Sequence, residues 1–157
     1  MIAEIRSERY NPRLLPFKEV FDILKLFMAD LNYRFKWKLW RYCLSIWNHK
    51  HFLYLLRDAN EYIGILILKK GCSSNYVSEV AIKPQYQNQG LGTMLLKKVI
   101  EEYPTKSTTL HVRRKNNLAI SIYLKLGFNI VRMLPLGMYY TRPYDRVLFL
   151  KRKKDRK

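Results

Sequence analysis

The stretch KPQYQNQGLGTMLLKKVIEEY, residues 83–103, decides the fold because it joins a polar, glycine-containing loop to an apolar helical run. The preceding run YVSEVAI (76–82) predicts a strand. The first N–H groups of a helix lack intrahelical acceptors, and the helix dipole favours negative charge there. Gly90 and Gly92 have no Cβ to keep an anion from the backbone. The stretch therefore predicts either a phosphate cradle or a plain strand-to-helix turn.

Two familiar phosphate-binding fingerprints do not fit this loop. A third glycine in the spacing GxGxxG is missing, and no Gly-Lys-Ser/Thr sequence follows Gly90. The Rossmann and P-loop motifs are therefore excluded, and the glycine pair needs support from the rest of the chain.

The composition indicates one strongly basic globular domain. The chain has 157 residues, 48% of them apolar, and a formal charge of +18. We expect a single domain over residues 1–150 and a basic tail, KRKKDRK, over 151–157. Such a charge attracts phosphates, nucleic acid, acidic proteins or anionic membranes without choosing among them. The tail itself fits a solvated end or a functional contact.

The remaining pattern predicts a mixed α/β sheet protein with the order βααβββαβαββ. In the first helix, Val20, Leu24, Phe27 and Leu31 recur at helical spacing. The second helix carries Trp37, Trp40, Leu44 and Trp47 along a stripe that we expect to lie in the core. Strands are expected at 2–7, 51–57, 62–71, 76–82, 107–113, 128–134 and 145–151, the second and third forming a hairpin, and helices at 16–31, at 36–48, after Gly90 and at 117–126.

No segment resembles a membrane span or a signal peptide. The longest apolar run, YIGILIL at 62–68, is far shorter than the roughly 20 residues that a membrane helix needs. Cys43 and Cys72 lack metal-ligand spacing and cannot form a disulfide framework, so we expect reduced, structural thiols. We therefore expect a cytoplasmic protein without a metal.

Two motifs together resemble the GNAT N-acetyltransferase superfamily. The segment QNQGLG (87–92) resembles its Q/R-x-x-G-x-G/A motif, and NNLAISIYLKLGF (116–128) resembles its second signature, N-x-x-A-I-x-x-Y-x-K-x-G-F. They occur in the expected order and spacing, each after a predicted strand, and the likeness covers roughly residues 76–128. The resemblance implies a mostly antiparallel sheet flanked by about four helices, and an enzyme that uses acetyl-CoA as acetyl donor.

The resemblance also implies which residues bind the cofactor. The glycine loop would hold the CoA pyrophosphate, the preceding strand would offer its backbone to the pantetheine arm and acetyl carbonyl, and Asn116 would contact the cofactor from the second signature helix. The loop residues concerned are Gln87, Asn88, Gln89, Gly90, Gly92 and Thr93, and the strand residues are Val80, Ala81 and Ile82.

The catalytic groups follow from the same resemblance. Tyr123 matches the tyrosine near the thioester sulfur, where a phenol that stays protonated at neutral pH can protonate the leaving thiolate. Its alternative is a packed aromatic on an amphipathic helix. An amine must be neutral to attack, so a base is also expected. His111 with Tyr76 resembles the pair of protein N-terminal acetyltransferases, and Glu79 is the competing base.

The acceptor remains open among three hypotheses. The first is a primary amine of a protein or peptide, with Tyr139 and Tyr140 as substrate-binding residues and an anionic partner such as RNA or a ribosome. The second is a small amine or aminoacyl-tRNA. The third is a non-catalytic acyl-CoA-binding or nucleic-acid-binding module. The sequence does not predict an oligomeric state.

Overall fold

The computed structural model describes residues 6–9, 16–28, 41, 43–46, 48, 51–103, 105–135 and 147–153. Its elements follow the predicted order βααβββαβαββ, the second helix being represented by helical residues 41 and 43–46. The strands are β1 Arg6–Arg9, β2 His51–Asp58, β3 Glu61–Lys69, β4 Ser74–Ile82, β5 Ser107–Arg113, β6 Asn129–Met133 and β7 Val147–Lys153, and the helices are α1 Phe17–Met28, α2 Leu91–Glu102 and α3 Asn117–Lys125.

The chain forms two compact units, and β4 contributes to both. The first unit comprises Met1–Lys70 and Glu79–Leu96, and the second comprises Gly71–Ser78 and Lys97–Lys157. In the first unit the strands run in the order β1-β2-β3-β4, and in the second β4-β5-β7-β6. The pair β4–β5 is parallel, whereas β1–β2, β2–β3, β5–β7 and β6–β7 are antiparallel. The predicted mixed, mostly antiparallel sheet is confirmed.

The core of the first unit lies where α1 and the second helical segment pack on the hairpin β2–β3. Val20 and Leu24 are buried one helical turn apart, as predicted. The expectation for Leu44 was wrong: its side chain is 48% exposed. Cys43 and Ile46, three positions apart on one helical face, join the core instead, and Leu44 is rotated away from that face. The positions of Leu31, Trp37, Trp40 and Trp47 lie outside the described residues.

The predicted hairpin is confirmed. The β2–β3 ladder runs from His51 opposite Lys69 to Asp58 opposite Glu61, and Ala59 in the turn has a φ of +49°. Leu56 of β2 and Ile63 of β3 form a buried cluster with Leu91, the first residue of α2. The hairpin therefore fixes the start of the helix that follows the glycine loop.

The second unit is organised around β5. Its parallel ladder with β4 covers Ser74–Val77 and Ser107–Leu110, and its antiparallel ladder with β7 covers all of Ser107–Arg113. Strand β7 ends at Lys153, two residues beyond the predicted strand, and so includes the first three residues of the predicted tail. Backbone pairing with Ser107–Thr109 extends the strand there, because the ladder does not depend on side-chain charge.

Both cysteines are free thiols, Cys43 buried and Cys72 exposed. Burial raises the pKa of the Cys43 thiol to about 11, which keeps it protonated and unreactive at neutral pH. Among the described residues, no helix is both long and apolar enough to cross a bilayer.

Candidate active site

The glycine loop of the first unit adopts a conformation that exposes the start of α2. A short 3-10 helix, Pro84–Tyr86, leads out of β4. Asn88 and Gly90 then have positive φ values, +62° and +77°. The first bond of the helix runs from the Met94 N–H to the Gly90 carbonyl at 2.9 Å, so the N–H groups of residues 91–93 precede it and have no acceptor within the helix.

The two glycines have different roles. A Cβ added at Gly90 would meet no heavy atom within 4 Å, so it would project into open space above the loop. A Cβ at Gly92 would lie 3.6 Å from Ile82 Cγ1 and 4.0 Å from Val80 Cγ1, in ordinary packing contact with β4. Gly90 therefore leaves the space beside the loop backbone open, whereas Gly92 lets the start of the helix lie close to the strand. An anionic group such as a pyrophosphate fits the first arrangement.

Two glutamine side chains brace this loop. Gln87 Nε2 donates to the Ile82 carbonyl at 2.8 Å, and Gln89 Nε2 donates to the Gln85 carbonyl at 3.3 Å. The first bond ties the loop to the last residue of β4. The amide side chains thus help to hold the conformation in which the backbone of residues 88–93 is presented.

A polar cluster at the base of the loop was missed by sequence reasoning. Glu61, at the start of β3, forms a salt bridge with Lys83 and accepts a hydrogen bond from Tyr86 Oη at 3.1 Å. The hydrogen bond from Lys83 is the largest cause of the lowered pKa of the Glu61 carboxyl. Glu61 and Lys83 are 22 residues apart, and only the β3–β4 neighbourhood brings them together, so no local pattern could have indicated the contact.

In the second unit the structure brings Tyr76 and His111 together. Tyr76 is opposite Thr109 in the parallel ladder, which places His111 two positions further along β5 on the same face. His111 Nδ1 lies 2.9 Å from Tyr76 Oη, and the two ring centroids are 5.3 Å apart. The pair inferred from the sequence is therefore a hydrogen-bonded pair.

Strands β7 and β6 extend this row with two residues that the sequence did not single out. Phe149 is opposite His111, with ring centroids 5.2 Å apart, and Arg132 is opposite Phe149, with its guanidinium carbon 5.7 Å from the ring centroid. Burial, and to a lesser degree the charge of Arg132, lower the pKa of His111 below its ordinary value of 6.5. The imidazole is therefore neutral at pH 7 and can accept a proton.

The second signature helix begins and ends with residues of the motif. Asn116 caps α3, its Oδ1 accepting a hydrogen bond from the Ala119 N–H at 3.1 Å. At the other end the Tyr123 carbonyl accepts hydrogen bonds from the Leu126 and Phe128 N–H groups, and the Tyr123 ring lies 5.9 Å from that of Phe128. The cap and these backbone bonds define where α3 begins and ends, and the half-buried Tyr123 side chain packs beside Phe128.

The remaining candidate residues are less well defined by the fold. Burial alternates from Ser74 to Val77, but residues 78–82 are all half-buried, so alternation does not assign Glu79 to a face. Val80, Ala81 and Ile82 lie beyond the four residues of β4 that pair with β5. Tyr139 and Tyr140 lie outside the described residues.

Comparison with known proteins identifies the family. The sequence profile of the Acetyltransferase (GNAT) family matches residues 18–128, which include both motifs. The chain belongs to the GNAT family. Its relatives include N-alpha-acetyltransferase 30 of Xenopus laevis, which is 29% identical over 149 residues, covering 90% of this chain and 52% of that protein. The chain thus spans about half the length of this curated relative.

Solved structures of GNAT proteins share the fold. The NatC complex bound to Gag peptide and CoA superimposes with a TM-score of 0.77 at 20% identity, covering 97% of this chain and 99% of that one. The ribosomal-protein-S18-alanine N-acetyltransferase from Escherichia coli gives a TM-score of 0.74 at 20% identity, covering 95% of this chain and 93% of that one. At this identity the likeness concerns the fold, and the membership in the GNAT family rests on the profile.

Proposed function

We propose that this chain is an acetyl-CoA-dependent N-acetyltransferase that transfers an acetyl group to a primary amine of a protein or peptide by direct attack on the thioester. The observation that carries the proposal is the Tyr76–His111 hydrogen bond of 2.9 Å, in which a neutral imidazole is paired with a phenol on the neighbouring strand. A relative named N-alpha-acetyltransferase supports a protein amino terminus as acceptor.

Acetyl-CoA would supply the acetyl group. The open space above Gly90 and the N–H groups at the start of α2 fit its pyrophosphate, with Gln87, Asn88, Gln89 and Thr93 around it. The backbone of residues 80–82 would bind the pantetheine arm, and Asn116 would contact the cofactor from the N-terminus of α3. The NatC complex, which shares this fold, is a structure with CoA bound.

The chain's own side chains would move two protons. His111, oriented by Tyr76, takes a proton from the acceptor ammonium so that the neutral amine can attack the thioester, and Glu79 is the alternative base. Tyr123 donates its phenolic proton to the sulfur as the C–S bond breaks, and is reprotonated from solvent. The acceptor ammonium thus loses two protons, one to the base and one to solvent as the amide forms, while the sulfur gains one through Tyr123, so the transfer is balanced with the release of one proton.

The proposal places the reaction in the cytoplasm, which the two free thiols support because reduced cysteines persist there. The formal charge of +18 favours an anionic partner, such as an acidic protein or a ribosome that carries the acceptor. Tyr139 and Tyr140 are the proposed contacts to the acceptor.

The test is an acceptor screen with purified protein and acetyl-CoA. Peptides with free amino termini, amino-terminally blocked peptides that contain lysine, polyamines, aminoglycosides and aminoacyl-tRNA would be compared by CoA release and by mass spectrometry of the product. We expect acetylation of the peptide α-amine and little turnover of the blocked peptides. Acetylation of only small amines or tRNA would overturn the peptide assignment. Tight acetyl-CoA binding without transfer to any acceptor would indicate a non-catalytic module.

A further inference from the structure

Strands β5, β6 and β7 carry no acidic residue. The sequence contains no Asp or Glu between Glu102 and Asp145, and none in β5, β6 or β7. The second unit holds 16 of the 30 basic residues of the chain but only 4 of its 12 acidic residues. Most of the excess positive charge therefore belongs to the unit that contains the Tyr76–His111 pair.

The strand registers place part of this charge on the same side of the sheet as His111, here called the His111 face. Phe149 and Arg132 lie on it, as their ring and cation contacts show. Lys151 and Lys153 follow Phe149 at two-residue steps along β7 and so lie on this face as well, opposite Thr109 and Ser107. The intervening Leu150 is fully buried on the other face. Arg132 and Lys153 are exposed, and Lys151 is half-buried.

The spacing of these cations matches the spacing of residues in an extended peptide. With strands about 4.8 Å apart and about 3.4 Å per residue, the Cα of Lys151 lies about 8 Å from that of His111, and that of Lys153 about 14 Å. An extended acceptor also advances about 3.4 Å per residue. If its amine lies at His111 and it runs along β7, its second to fifth residues pass Lys151 and Lys153.

We propose that the preferred acceptor is a peptide whose amino terminus is followed closely by acidic residues, and that Arg132, Lys151 and Lys153 bind those carboxylates. The inference rests on the proposed function and specifies its acceptor. It explains why the basic residues are arranged on the face that presents the base, with no carboxylate on β5, β6 or β7 to neutralise them.

A peptide suits this face better than single-stranded RNA. Proteins that bind single strands stack bases on aromatic rings. The aromatic rings described on the His111 face are engaged within the protein: Phe149 lies between His111 and the Arg132 guanidinium, and Tyr76 is hydrogen-bonded to His111. The cations nevertheless remain available to carboxylates, which need no stacking surface.

The test compares matched peptides with free amino termini that carry either Asp and Glu or the isosteric Asn and Gln at positions two to five. Exposed ion pairs contribute a factor of about 1.5 to 5 each, so three of them predict at least about a threefold higher kcat/KM for the acidic peptide. This preference should shrink with added salt. Lys151→Gln should reduce this preference about 1.5- to 5-fold.

Arg152→Gln is the matched control, because Arg152 is the neighbouring residue of β7, bears the same charge and points to the opposite face, where it lies beside Gly127. It should leave the acidic preference intact, and thermal melts would verify that both variants fold. Equal kcat/KM for acidic and amide peptides would overturn the inference while leaving the proposed function standing. Strong salt-dependent inhibition by a single-stranded RNA oligonucleotide without any acidic preference would overturn it in favour of nucleic acid. Failure of every peptide to be acetylated would overturn both.

Discussion

Replacement of Gly90 by alanine separates the ligand-binding role of the glycine loop from its structural role. The φ of +77° is unfavourable for an L-residue with a Cβ, at a cost of about 1–2 kcal/mol, and the smaller unfolded-state entropy of alanine offsets about 0.4–1 kcal/mol of this. We therefore expect the free energy of unfolding to fall by about 1 kcal/mol, with the fold retained.

The effect on cofactor binding should be larger. The added methyl group projects into the open space where the pyrophosphate is proposed to lie, since no protein atom lies within 4 Å of it. Loss of one backbone hydrogen bond to a charged group costs about 1.5–3 kcal/mol. At 1.4 kcal/mol per tenfold change, the Kd for CoA should rise about 10- to 150-fold, as measured by calorimetry.

Gly127→Ala provides the control for backbone strain. Gly127 has a φ of +81°, and its added Cβ would lie 3.4 Å from Arg152 Nε, so this variant carries a comparable conformational cost outside the loop. It should lose similar stability and keep the CoA affinity of the parent protein. An unchanged Kd in Gly90→Ala, or an equal loss of affinity in Gly127→Ala, would refute the assignment of the loop as the pyrophosphate cradle.

Three further predictions concern the catalytic groups. Tyr123→Phe keeps the ring but removes the proton donor, so steady-state kinetics should show a lower kcat with an unchanged Kd for acetyl-CoA; an unchanged kcat would place the acid elsewhere. His111→Ala should lose activity mainly at low pH and recover it at high pH, where the acceptor amine is already neutral. If Glu79→Gln rather than His111→Ala removes the low-pH limb of the profile, the carboxylate is the base. Folding lowers the pKa of His111, so just below pH 6.5 the unfolded state binds a proton that the folded state does not. The free energy of unfolding should therefore be highest above that pH and decrease below it. Denaturant titrations at several pH values should show a smaller decrease for His111→Phe than for the parent protein.

The parts of the candidate site whose local structure the sequence predicted are built from continuous segments. The glycine loop and the second signature are each continuous in the chain, and their turn conformations follow from residues such as Gly90 and Asn116 that perform the turn or cap themselves. Hydrophobic periodicity likewise predicted β5 with its observed bounds, because the alternation of apolar and polar side chains between the two faces of a strand is visible in the sequence.

The parts that could not be predicted depend on register between distant strands. Arg132 reaches the row of His111 only because the β6–β7 ladder shifts by one residue between Ile130 and Arg132, an irregularity that no sequence period reveals. Leu44 shows the same limit for helices. The stripe predicted from the tryptophan residues placed Leu44 on the buried face of the helix, whereas in the structure Cys43 and Ile46 occupy the buried face and Leu44 is exposed. The sequence shows which side chain stands at each position of a strand, but it does not show which residue lies opposite on the neighbouring strand.

The charges around His111 indicate which kind of amine this base can deprotonate. An imidazole whose pKa lies below 6.5 is a weak base, and it accepts a proton from an α-ammonium of pKa about 7.7–8.0 far more readily than from a lysine of about 10.4. The positive charge that helps to lower the pKa of His111 also disfavours an ammonium beside it, which helps to deprotonate the acceptor. The same cations attract carboxylates further along a peptide. The positively charged His111 face therefore favours the α-amine of an acidic amino terminus in two ways. The lowered pKa of His111 favours an α-ammonium over a lysine side chain, and the cations along β7 form ion pairs with the carboxylates.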